Sequence, residues 1–196
     1  MSHVRRLPVL VLILLAVGLL LPAGALAASA WPMFGHDAQH SRRSQYVGAQ
    51  SATLKWAADV TIGNGWIYSS PALAADGTVY ITADDFSPTL DHLQLYALDP
   101  SSGSVKWHTD AGDVHGSSPA VDSTGTIYLG GYLRSAPLGQ QGKVFAFAST
   151  GGDPRWTFST WEIFFSSPTT AAGAIYIGCD DSTPDALLLI GAPQLR

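Results

Sequence analysis

His36-Asp37-Ala38-Gln39-His40 sets two imidazoles four residues apart around a carboxylate, the spacing by which one helix face can offer two nitrogens to zinc. Gly35 stands just before it and no strong third ligand lies nearby, so the run reads as a hydrogen-bonded loop and no metal is expected. Two acidic pairs, Asp84-Asp85 and Asp180-Asp181, follow apolar runs at matching places. Calcium needs six or more oxygens, and these pairs are expected to cap loop amides instead. Ser-Ser-Pro occurs at Ser69, Ser117 and Ser166, yet no Gly-x-Ser-x-Gly elbow surrounds any of these serines. A serine before proline sets an extended approach to a strand, so a structural role is expected. No catalytic residue follows from these groups.

The spacing of the same groups says more than their chemistry. Ser-Ser-Pro recurs after 48 and 49 residues, and a Gly-x-[Val/Ile]-Tyr unit places Tyr80, Tyr128 and Tyr176 at intervals of 48. A basic residue before tryptophan recurs at Lys55-Trp56, Lys106-Trp107 and Arg155-Trp156, and "LYALD" ending at Asp99 answers to "VFAFA" ending at Ala148. A period of this length signals a solenoid, propeller or array. Within it, Val, Ile, Tyr and Thr cluster in short runs bounded by Gly, Pro, Asp and Ser, with no convincing helical period.

One unit parses into four strands. Ala72–Ala74 is followed by a tight turn at Asp76-Gly77, then Thr78–Thr82, Leu93–Leu98 and Val105–Thr109. In the last of these, simple alternation puts Val105, Trp107 and Thr109 on one face and Lys106 and His108 on the other. A half-polar strand suits an outer edge, while "TVYIT" is apolar on both faces like a strand between two sheets. Four short antiparallel strands per repeat describe a propeller blade: the fold class is all-β, a partial β-propeller.

Residues 1–30 read as a signal peptide: Arg5-Arg6, an apolar run from Leu7 to Leu21, and small residues at Ala25-Leu26-Ala27 or Ala28-Ser29-Ala30 for cleavage. The expected location is secreted or periplasmic, with no membrane span after cleavage. The remainder carries eight Lys and Arg against fifteen acids, which gives no electrostatic footprint for nucleic acid. Cys179 is the only cysteine, so no internal disulfide forms; after "AIYIG" it reads as a buried thiol.

The repeat resembles the quinoprotein-like tryptophan-docking repeats, named for enzymes that bind pyrroloquinoline quinone (PQQ). The residues that carry the resemblance are "GTVYIT…LYALDPSSGSVKW", "GTIYLGG…VFAFASTGGDPRW" and the opening "WPMFGHDAQHSRRSQYVG". It implies that Trp56, Trp107 and Trp156 dock between adjacent blades, and that a closed ring has seven or eight blades. Residues 31–53 are then a lead-in and 54–196 an incomplete propeller, with blades near 69–109 and 117–158 and a partial one at 166–196. Trp56 sits on a lone fourth strand, which in closed rings completes the last blade. "ALLLIG" is a candidate third strand, with no fourth after it. The expected product is a truncated fragment of a longer propeller, with a self-assembling partial propeller and a stable short stack of blades as the alternatives. PQQ dehydrogenases would bring a vicinal cysteine pair and a calcium site. One cysteine excludes the pair, so no cofactor and no enzymatic activity are expected. A binding or scaffold module for an unknown protein or envelope polymer is the expected function, with self-association through open blade edges; the alternatives are a PQQ-dependent dehydrogenase-related protein and a non-functional remnant. The inter-blade segments supply the propeller-face candidates Trp66, Tyr68, Asp113, His115, Trp161 and Glu162, with Asn64 and Phe164 beside them.

Overall fold

The structure, a computed structural model, describes residues 29–60, 65–86, 91–112, 117–133, 137, 141–161, 163, 166–179 and 187–191. These residues form eleven strands and no helix. Blade one is β1 (Ala72–Leu73), β2 (Val79–Phe86), β3 (Asp91–Leu98) and β4 (Val105–Asp110), hydrogen-bonded in that order. Blade two repeats it with β5 (Ala120–Val121), β6 (Ile127–Tyr132), β7 (Gly142–Phe147) and β8 (Trp156–Thr160). The third sheet stops at three strands, β9 (Thr169–Ala171), β10 (Ala174–Gly178) and β11 (Leu187–Gly191). Every pairing is antiparallel. The short first strands lie side by side, β1 against β5 and β5 against β9, as the inner strands of a propeller do. The chain is a partial β-propeller.

Local chemistry explains the turns. Gly77 takes φ +84°, open to glycine at little cost, and the Asp76 carboxylate accepts the Thr78 amide at 2.9 Å. Asp122 plays the same part in blade two, accepting the amides of Thr124 and Thr126 at 2.8 and 3.0 Å. The second strand is buried on both faces, Tyr80 and Thr82 on one and Ile81 and Ala83 on the other, whereas β4 alternates between exposed and half-buried.

The strand faces correct one expectation. Simple alternation put Val105 beside Trp107, but β4 carries a bulge: Trp107 faces Ala97 while Val105 faces Leu98. The extra residue, Lys106, is thereby turned back over its own blade, where Nζ donates to Thr78 Oγ1 at 2.8 Å. Arg155 Nη1 reaches Thr126 Oγ1 at 3.1 Å in the same way. A second correction concerns Asp84-Asp85. They do not follow the second strand but belong to it: β2 runs on to Phe86, with Asp84 opposite Leu93 and Asp85 opposite His92, because the ladder with β3 continues that far. Asp180-Asp181 lies outside the described residues.

The core consists of layers between sheets. Tyr80, Leu95 and Ala97 of blade one meet Val121, Ile127 and Phe147 of blade two. Val144 and Ile163 meet Ile177 of the third sheet, with half-buried Cys179 alongside. A further layer sets Trp56, Ala58 and Val60 against Ile81, Tyr96 and Leu98 of blade one.

At the inner end, the two serines of Ser-Ser-Pro divide the work. The first holds its own blade: Ser69 Oγ donates to the Thr82 carbonyl at 2.8 Å, and Ser117 and Ser166 accept the amides of Gly130 and Gly178. The second holds the preceding blade, since Ser118 Oγ accepts the Ser70 amide at 2.8 Å and Ser167 Oγ the Ser118 amide at 3.0 Å.

Gly151 has φ +77°, and a Cβ there would stand 2.7 Å from the Trp107 ring. Gly151→Ala therefore adds left-handed backbone strain to an indole clash, and is expected to destabilise the protein by about 3 kcal/mol. Urea unfolding of the variant beside the parent measures this; an unchanged midpoint would show that the ring is not seated there.

Candidate functional site

Two tryptophans, Trp56 ahead of blade one and Trp107 of blade one, each reach the outer turn of the blade that follows them. Trp56 Nε1 donates to the Pro100 carbonyl at 3.0 Å, and Trp107 Nε1 to the Ser149 carbonyl at 2.9 Å. Each indole lies over the glycine of the turn it bonds, Gly103 and Gly151, where only a hydrogen leaves room. Trp107 also packs on Tyr80 of its own blade, ring centroids 5.7 Å apart, and Trp156 on Tyr128 at 6.0 Å. Trp156 lines a cleft of about 830 Å³ between blade two and the third sheet, together with Asp122, Tyr128, Phe158, Ile175 and Ile190. In the repeat register Ala192 corresponds to Pro100 and Ser149; it lies outside the described residues.

The turn that receives Trp56 is organised by Asp99. Its carboxylate is held down at about 2, chiefly by the Ser101 hydroxyl and then by the Ser101 and Ser102 amides. In blade two, burial raises Asp122, but hydrogen bonds from Thr124, Tyr128 and the turn amides outweigh it and the group ends below its usual range. Tyr128 donates to Asp122 Oδ2 at 2.8 Å and is pushed up to about 12, first by burial and then by that bond. Both carboxylates and the phenol are thereby committed to holding turns.

Of the propeller-face candidates, Trp66 and Tyr68 come together. Trp66 is tied to β2 by a bridge, its amide donating to the Asp84 carbonyl at 3.1 Å and its carbonyl accepting the Asp84 amide at 2.9 Å. The Trp66 and Tyr68 rings stand edge to face, centroids 5.8 Å apart, and Trp66, Ile67 and Tyr68 are 57%, 49% and 54% exposed. Trp161 is exposed as well. Asp113, His115 and Glu162, with Asn64 and Phe164, lie outside the described residues.

The His-Asp-His run is a chain of turns, with His36 at φ 84° and His40 at φ 51°. His36 Nδ1 meets Asp37 Oδ2 at 3.1 Å, while His40 Nε2 reaches Thr169 Oγ1 at 2.9 Å. Asp37 accepts the Ser41 amide and hydroxyl, the hydroxyl foremost, and its carboxyl is held well below the usual range. The two imidazoles thus serve different partners.

Sequence reasoning missed what this lead-in does. The Trp31 carbonyl accepts the Leu73 amide at 2.7 Å and the Pro32 carbonyl the Val121 amide at 2.8 Å, before His40 reaches Thr169. Residues 73, 121 and 169 are one repeat position, so the segment crosses the inner strand of all three sheets. The only signal in the sequence is that regular interval.

The model of a PQQ-like repeat family, described as outer membrane protein assembly factor BamB, matches residues 38–157 and, overlapping them, 91–187. The chain belongs to this family. It is 31% identical over 111 residues to the serine/threonine-protein kinase AfsK of Streptomyces griseus, an alignment covering 54% of this chain and 12% of that kinase. Among solved structures, BamB from Moraxella catarrhalis aligns with 65% of this chain and 47% of its own, at 14% identity and a TM-score of 0.33. The chain spans about an eighth of the kinase and about half of that BamB.

Asp99 and Asp122 titrate lower when folded than the usual 3.8. Ionised, they stabilise the fold above about pH 4; that contribution is lost as pH falls towards 2. The melting temperature is expected to drop across that window. An Asp99→Asn/Asp122→Asn variant is expected to melt lower at neutral pH and to change less between pH 4 and 2; parallel melting curves would contradict it.

Proposed function

We propose that this protein is an exported, non-catalytic propeller module that binds a protein or an envelope polymer through the surface around Trp66, Ile67 and Tyr68. The observation that carries the reading is the exposure of three consecutive large side chains on a backbone bridged to β2. Contiguous exposed apolar surface marks interaction sites, and tryptophan and tyrosine are the usual anchors of such contacts. Trp161 is a further exposed indole available for the same kind of contact.

The hydroxyls of Ser69, Ser117 and Ser166 are occupied by backbone groups of their own blades, which supports a structural role over a nucleophilic one. Export is supported by the basic and apolar N-terminal residues and agrees with the outer-membrane role in the description of the family model.

Trp66→Ala/Tyr68→Ala is expected to reduce capture of envelope components by about tenfold or more, with the melting temperature unchanged within about 2 °C. Parent and variant chains, immobilised and exposed to the same solubilised envelope fraction, provide the comparison; equal capture would sink the reading. Titration with PQQ is expected to leave its absorbance spectrum unaltered, and a saturable shift would favour a cofactor-binding protein.

A further inference from the structure

We infer that residues 35–42 form a sprung latch, closed on the third sheet by the His40 side chain and able to unwind while the rest of the lead-in stays bonded to blades one and two. The lead-in crosses blade one at the Val79 end of β2, away from the Trp66 bridge at Asp84, and the inference does not rest on the binding surface there.

Its first support is unequal anchoring. Against blades one and two the lead-in bonds by backbone: the Trp31 and Pro32 carbonyls take the Leu73 and Val121 amides, and Met33 just behind them is buried. Against the third sheet the bond is between side chains, His40 Nε2 to Thr169 Oγ1 at 2.9 Å, and it lies in the open. Exposure rises along the segment, from Phe34 at 38% to residues 38–50, which are exposed throughout. A stretch held by exposed bonds opens locally more readily than one held by buried ones.

The second support is strain and where it sits. Among the described residues, the non-glycine positions with left-handed backbone are His36 (φ 84°), His40 (φ 51°), Arg42 (φ 54°) and Ala172 (φ 50°). The first three share one short loop, and the fourth is in the β9–β10 turn of the sheet that this loop reaches. Such conformations persist only where surrounding contacts hold them. The same three loop residues donate the amide bonds that keep the loop wound, His36 to the Met33 carbonyl at 3.0 Å, His40 to Asp37 at 2.9 Å and Arg42 to Gly35 at 3.0 Å. Relaxing their backbone therefore releases all three amides to water.

His40 is the catch. Its ring lies against Gly35, where a Cβ would stand 3.0 Å from it, and meets the Phe34 ring edge on, centroids 6.2 Å apart. The Arg42 guanidinium lies over the same Phe34 ring, 5.7 Å from its centroid. This stack aims Nε2 at Thr169, so the wound loop and the contact with β9 support each other. Inner strands line the central channel of a propeller; the closed latch lies on that wall at β9 and leaves it on unwinding.

Hydrogen exchange followed by NMR on the full chain tests this. In the parent, the His36, His40 and Arg42 amides are expected to exchange together, at least about tenfold faster than those of Leu73 and Val121. Thr169→Val keeps the branched shape and removes the hydroxyl; it is expected to speed the three loop amides by about fivefold and to leave Leu73 and Val121 unchanged. Thr169→Ser, which retains a hydroxyl, is expected to stay within about twofold of the parent. Loop amides that exchange in step with Leu73 and Val121 would overturn the inference, because the segment would then open only with the blades. So would a Val variant whose loop exchange is unchanged, or one in which Leu73 and Val121 speed up equally.

Discussion

A sheet that is apolar on both faces cannot stand alone in water; it needs a neighbour on each side. That requirement governs the rest of this molecule. The middle strands bury Tyr80 and Thr82 on one face and Ile81 and Ala83 on the other, so blade one is stable only between two other layers. The joints between layers are pinned at both ends. At the rim an indole covers a glycine turn and donates its N–H to that turn's carbonyl, while at the inner end a serine hydroxyl accepts an amide from the preceding blade. An unsatisfied buried amide costs more than a typical hydrogen bond contributes, so the serines hold blade spacing chiefly by making other spacings costly.

The bulge in β4 links these pins to blade chemistry. By inserting one residue it brings Lys106 and Trp107 to bear on the same side, the ammonium at Thr78 and the indole at Tyr80. One short segment thus closes its own blade and reaches the next. The lead-in works across the blades instead, touching the same inner-strand position in three successive sheets. Its backbone turns at His36 and His40 take left-handed conformations that non-glycine residues adopt at a cost, met here by the contacts of Asp37 and Thr169.

Much of the architecture was legible in the residues. The landmarks at 48 to 51 residues gave the all-β propeller texture, the turn at Asp76-Gly77 is where glycine was expected, and the candidate third strand "ALLLIG" carries β11. What misled was strict alternation. It assigned Val105 to the wrong face because a bulge is invisible to a two-residue period; the end of the β-prone run at Thr82 likewise closed the second strand too early, since pairing carries it on to Phe86. Of the face candidates, Trp66 and Tyr68 were named from their place before Ser-Ser-Pro, but their edge-to-face packing and the bridge to Asp84 are long-range facts that no local spacing encodes.

The sequence by itself determined the period, the all-β texture and which tryptophans recur, because these depend on residue type at regular intervals. Only the tertiary structure decided what each repeated group touches. The second serine of Ser-Ser-Pro bonds a residue 48 or 49 positions away, His40 bonds one 129 positions away, and Trp56 finds its carbonyl 44 residues on. A hydroxyl, an imidazole and an indole N–H are each compatible with many partners. Blade stacking, by bringing one partner within about 3 Å and excluding water from the rest, makes the choice.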